Sequence, residues 1–148
     1  MRWEFLEGVK VVEAAEAVAV ELAKVLVEEL RAWPPRVEWT DPDQAARFAP
    51  LYSPGQLLLP RPSVSALREG FRLARWDLER QQAAIDDYWR NDRARQVCPD
   101  DRDRLALELV WRWLVEAALE LAERTEGRVK RRHLIECLDR AERLLLAS

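Results

Sequence analysis

The 148-residue chain is 49% hydrophobic and 34% charged, with a formal net charge of −3, two cysteines and one histidine. This composition excludes a wholly disordered chain and a framework of disulfide bridges, and no apolar run approaches the roughly 20 residues that a membrane-spanning helix needs. Excess acid gives the chain as a whole no general affinity for polyanions, so any such affinity must be local.

Met1 leads directly to Glu4 and Glu7, without the basic start and apolar stretch of a secretory signal, so the sequence reads as cytoplasmic, with no membrane association. Two thiols in that compartment are expected to be reduced packing residues, and neither Cys98 nor Cys137 is assigned a role. The length suits a single helical domain over 1–148 that buries about two-thirds of its unfolded surface.

The first predicted helix runs from about 4 to 33. Glu7, Lys10, Ala14, Ala17, Glu21, Lys24, Glu28 and Arg31 trace its mostly polar stripe, while valine, leucine and alanine fill the other faces. An apolar arc that wide must be covered on more than one side, by the rest of the domain or by a second copy. Trp33 before Pro34 and Pro35 ends the helix. Seven of the eight prolines then fall in a connector over 34–62. Within it a short helix is predicted at about 42–49, with Asp41 as cap, Pro42 in the first turn and Gln44 returning a capping-box hydrogen bond. Trp39, Phe48, Tyr52 and Leu57 to Leu59 are expected to pin the connector down as a packed crossover.

A second long helix is predicted over 63–95, its seam formed by Val64, Leu67, Phe71, Ala74, Leu78, Ile85 and Tyr88 and interrupted at Gln81. The third, about 101–125, follows Cys98 and Pro99 and takes Asp100 or Asp101 as its cap. Arg104, Glu108, Arg112, Glu116, Glu120 and Arg124 stand four apart and read as a solvent-facing ladder. Leu107, Val110, Trp111, Leu114, Ala118 and Leu121 lie opposite. Gly127 is the expected left-handed stop, and a last helix at about 131–146 carries Leu134, Ile135, Leu138, Ala141 and Leu145. The fold class is therefore an all-α bundle of four main helices with a proline-rich connector and one short extra helix.

One histidine cannot furnish a zinc site or a di-iron carboxylate bundle, so no metal or cofactor is implied. The carboxylate groups Asp86, Asp87, Asp92 and Asp100, Asp101, Asp103 read as helix caps and a solvated face. There is no glycine-rich phosphate loop and no nucleophile elbow. Charge is unevenly spread: residues 1–33 carry −3, residues 98–126 carry −4 and residues 127–148 carry +3. The positive end is concentrated in Arg128, Lys130, Arg131 and Arg132, beside His133. These cations are the nucleic-acid-binding candidates, at a helix start whose backbone N–H groups also favour anions.

The spacing from Arg128 to His133 resembles the Arg-x4-His motif of HEPN-type ribonucleases, which are all-helical, commonly dimeric and metal-independent. The resemblance implies His133 as general acid or base and Arg128 as the group stabilising the phosphate. Val129 departs from it, standing where that family usually has a polar residue. Residues 105–143, a long helix followed by Thr125-Glu126-Gly127-Arg128-Val129 and a shorter helix, also resemble the later part of a histone fold. That likeness implies a dimer with Arg128 and Lys130 on DNA phosphate.

Seven tryptophans are many for this length. Trp111 and Trp113 are about 200° apart around one helix, so they cannot face one core together. With Trp76 and Trp89 they are the candidate anchors of a second, interface-forming apolar surface. The sequence thus reads as a non-catalytic interaction protein that works by self-association, as a homodimer, or with a protein partner as a small subunit of a larger assembly. A HEPN-like ribonuclease and a histone-like or accessory nucleic-acid-binding subunit stand as the alternatives.

Overall fold

Three short polar side chains set helix starts. The structure, a computed structural model, describes residues 15–35, 39–52 and 59–147. Asp41 accepts a hydrogen bond from the Asp43 N–H at 2.9 Å, Ser63 Oγ from the Ala66 N–H at 3.1 Å and Asp100 from the Arg102 N–H at 2.7 Å. Each satisfies an N–H that a first helical turn leaves without a partner. The helices are α1 (Ala15–Ala32), α2 (Pro42–Phe48), α3 (Val64–Leu78), α4 (Gln82–Arg90), α5 (Arg93–Val97), α6 (Asp101–Arg124) and α7 (Arg131–Leu146), with a 3-10 turn at Ala49–Tyr52. The described residues contain no strand, and the architecture is the all-α bundle expected. Residues 4–14 of the first predicted helix lie outside the described residues.

The helix predicted over 63–95 is three helices. α3 stops in a Schellman arrangement: Arg80 adopts a left-handed φ of 60°, its N–H reaches Asp77 O at 3.1 Å, and the Gln81 N–H reaches Trp76 O at 2.8 Å. Asp92, with φ 53°, turns the chain again between α4 and α5. The seam residues Leu67, Phe71, Ala74, Leu78, Ile85 and Tyr88 are all buried. The two turns fold the second half of the seam back over the core that the first half enters. Val64 is the exception, 55% exposed in the first turn of α3.

α3 packs most extensively on α6 and also on α7, while α7 covers α1. α3 and α6 run in the same direction, since the Ser63 N–H donates to Asp103 Oδ1 and Gly70 faces Val110. A Cβ at Gly70 would lie 2.6 Å from Val110 Cγ1, so the glycine is what lets the two backbones approach. Arg75 of α3 ties this pair to α7 through Glu142 and, at 3.4 Å, Asp139. From residue 17 onward the polar stripe of α1 is as expected, with Ala17, Lys24, Glu28 and Arg31 exposed. Its arc from Val18 to Leu30 is buried within this same chain.

The connector is packed where it is described. Phe48, Leu51 and Leu59 form a small second core with Ala106 and Leu109 of α6, Trp39 stacks on Phe48 at 5.1 Å, and the Trp33 indole N–H donates to Leu59 O at 3.1 Å. Leu57, Leu58 and the Tyr52 side chain lie outside the described residues. The capping box does not close: Gln44 Oε1 is enclosed without a hydrogen-bond partner. The ladder on α6 is likewise only half open to solvent, because the connector runs along it. Thr40 donates to Glu116 Oε1 through its N–H (3.0 Å) and Oγ1 (2.7 Å), and Arg47 pairs with Glu108. Of the ladder's own charges, the described pair is Glu120 with Arg124, at 3.3 Å.

Candidate functional site

The basic cluster runs from the turn between α6 and α7 into the first turn of α7, and local hydrogen bonds shape that turn. Buried Thr125 ends α6, its Oγ1 donating to Leu121 O at 2.9 Å and accepting the Val129 N–H at 3.4 Å. The left-handed stop falls first on Glu126 (φ 53°) and then on Gly127 (φ 76°), so the glycine predicted to take the turn alone shares it. The Gly127 N–H closes the helix onto Ala122 O at 2.9 Å. Val129 then plugs into the main core, buried between exposed Arg128 and exposed Lys130.

That plug presents the charge. Arg128, Lys130, Arg131 and Arg132 are all exposed, and no salt bridge among the described residues engages any of them. Lys130 is the N-cap residue of α7, and its side chain makes no capping hydrogen bond. A lysine has no acceptor to offer the free N–H groups of the first turn, and three cations lie within the positive end of the helix dipole.

His133 sits in the first turn of α7, half-buried, its N–H bonded to Lys130 O at 2.9 Å. Its Nδ1 is enclosed and has no hydrogen-bond partner. Among the described residues no hydrogen bond or ion pair joins its side chain to Arg128. The position at which the sequence departs from the ribonuclease motif, Val129, is the residue that anchors the loop. Residues 125–127 form a tight turn, and the chain is extended again by Lys130, with φ −80° and ψ 159°.

The tryptophan candidates fall elsewhere than on an open apolar face. Trp113 is fully buried in the main core and Trp111 is only 3% exposed, so neither is available to a partner. The 200° between them holds. Both sides of α6 are covered, however, one by α4, which the sequence reading did not separate from α3. Half-buried Trp89 of α4 stacks on Trp111 at 5.7 Å, and Trp76 meets Tyr88 edge-on at 6.2 Å.

A cleft of about 340 Å³ opens beside that stack, lined in part by Asp77, Asp86, Trp89, Glu108, Trp111 and Arg112. Trp111 donates its indole N–H to Asp77 Oδ2 at 3.0 Å, and the Arg112 guanidinium lies over the Trp111 ring at 3.6 Å. Burial lowers the proton affinity of Arg112, against the pull of Asp77 and Glu108. Sequence reasoning missed this cleft, although the arginine following a tryptophan in the helix was a visible signal.

The carboxylates considered for a metal are scattered among separate partners: Asp86 with Gln82, Asp87 with Asn91, Asp92 with Arg95 and Asp103 with Ser63. Glu69 and Tyr88 are buried together instead. Burial and the nearby carboxylate raise the phenol of Tyr88 well above its usual range. Both cysteines are free and buried. No described helix is long and apolar enough to cross a membrane. Comparison of the chain with protein-family models, with curated proteins and with solved structures finds no match.

Proposed function

We propose that the protein is a non-catalytic helical module that works by association, and that its working surface is the basic start of α7, which takes an anionic partner such as a nucleic-acid backbone. One observation carries this reading: three exposed cations crowd the uncapped positive end of a helix, with Arg128 just before it. Placed there they oppose stability on the order of 0.3–1 kcal/mol each at low salt. A phosphate reverses the sign of that term and also takes the free N–H groups. Fluorescence anisotropy with a labelled single-stranded RNA tests it. Four phosphate contacts give a slope of log affinity on log salt of roughly −3, and changing Arg128, Lys130, Arg131 and Arg132 together to Ala abolishes the binding. Retention of RNA by the quadruple variant refutes the proposal. The ribonuclease reading makes the opposite demand, that RNA be cut in EDTA and that His133→Ala stop it; the expected result is no cutting above background.

Self-association is favoured by a different observation. Leu119 on α6 is 54% exposed, with half-buried Val115 and Ala122 along the same face. Sedimentation equilibrium at micromolar concentration decides it: a dimer that Leu119→Glu dissociates supports this reading, and a clean 17.3 kDa monomer rejects it.

A further inference from the structure

The cleft between α3, α4 and α6 lies apart from the basic cluster and is built for a different charge. Its volume of about 340 Å³ falls within the usual range of small-ligand sites, roughly 300–1,000 Å³. Three carboxylates line it against one guanidinium. Each carboxylate spends one oxygen inside the protein: Asp77 Oδ2 on Trp111, Asp86 Oδ1 on Gln82 and Glu108 Oε2 on Arg47. Among the described residues the second oxygen of each accepts no hydrogen bond. The aromatic wall is Trp89, half-buried and backed by Trp111.

We infer that this cleft binds a small organic cation, an alkylguanidinium or alkylammonium, against the Trp89 indole with Asp77, Asp86 and Glu108 as counter-ions. The protein already holds one such group there. Arg112 keeps its guanidinium on the face of Trp111 with Nε enclosed and unpartnered, and no carboxylate of the described residues lies within ion-pairing distance of it. The indole face and the surrounding negative field therefore suffice for a delocalised cation in this place. A metal ion is the wrong occupant, because among the described residues no three ligating side chains converge, and a hard cation needs several oxygens at once. An anion would meet three carboxylates.

Butylguanidinium is the probe, followed by the indole N–H resonances in two-dimensional NMR, with Trp89 and Trp111 identified from the Trp89→Phe and Trp111→Phe spectra. Saturable shifts at Trp89 and Trp111 are expected. Neutral butylurea, of nearly the same shape, should bind at least roughly tenfold more weakly, and pentanoate should not bind. Asp86→Asn, a change on the exposed side of α4 that leaves the core untouched, should weaken butylguanidinium several-fold, and Trp89→Leu should remove the saturable response at Trp111. Equal binding of butylurea, preferential binding of pentanoate, or an unchanged affinity in folded Asp86→Asn would each overturn the assignment.

Discussion

The indole N–H of Trp111 donates to Asp77 Oδ2 at 3.0 Å, so a nearly buried side chain of α6 holds the last turn of α3 in place. Replacing the indole by phenyl leaves a half-buried carboxylate oxygen without its partner and gives Trp89 and Arg112 a smaller ring to stack on. Trp111→Phe should therefore cost about 2–4 kcal/mol in denaturant unfolding. Asp77→Asn keeps an acceptor and should cost about half of that or less. Equal losses in the two variants would show that the bond is incidental.

Lys130→Asp should make the protein more stable. An aspartate at the N-cap of α7 can accept from the first-turn N–H groups and places negative charge at the positive end of the dipole, together worth about 1 kcal/mol. The expected readout is a melting temperature about 2–4 °C higher, with RNA affinity reduced. A variant both less stable and equally able to bind RNA would contradict both halves.

Gly70→Ala forces a Cβ to within 2.8 Å of Val110 Cβ and 2.6 Å of its Cγ1. The α3–α6 pair must part, at a cost of about 1–3 kcal/mol. Val110→Ala in the same chain removes the nearer clash, with Cγ1, and leaves the one with Cβ, so the strain is relieved in part and the double variant should be more stable than the sum of the two single losses implies. Strict additivity would locate the strain elsewhere.

Burial raises the Cys137 thiol from an ordinary 9.0 to about 12, and burial with Asp103 close by raises Cys98 to about 11. Between those values the unfolded chain sheds thiol protons that the folded chain keeps, so folding binds protons and stability falls as pH rises. Cys137 alone should contribute a loss of about 1.4 kcal/mol per pH unit above pH 9. Cys137→Ala should flatten that part of the profile in urea unfolding. At pH 8 both thiols should react with a disulfide reagent only as fast as the protein opens.

How much was readable in the sequence depended on whether the cause was local. α7 is where the spacing of Leu134, Leu138, Ala141 and Leu145 puts it, and Asp41 and Asp100 cap the helices they precede. The break after Leu78 shows in the sequence only as the interruption of the seam at Gln81, for two reasons. Ile85 follows seven residues later, as it would on one face of an unbroken helix, and the left-handed stop is an arginine where a glycine would have marked it. The half-covered ladder on α6 depends on Thr40 and Arg47, brought in from more than 60 residues away. The cleft needs Asp77 and Trp111, 34 residues apart, to meet. Periodicity along one helix carries no record of such arrivals.

The pairing of α1 with α7 has a consequence for how the protein is made. Arg31 of α1 reaches Leu144 O across 113 residues of chain, and α7 covers the helix that a ribosome releases long before it. During synthesis α1 must wait, its row from Val18 to Leu30 lacking the partner that will bury it, until residues 131–146 have left the exit tunnel. Folding of this bundle thus waits on its last helix, and until that helix arrives the nascent chain is a natural client for chaperones that shield apolar helices.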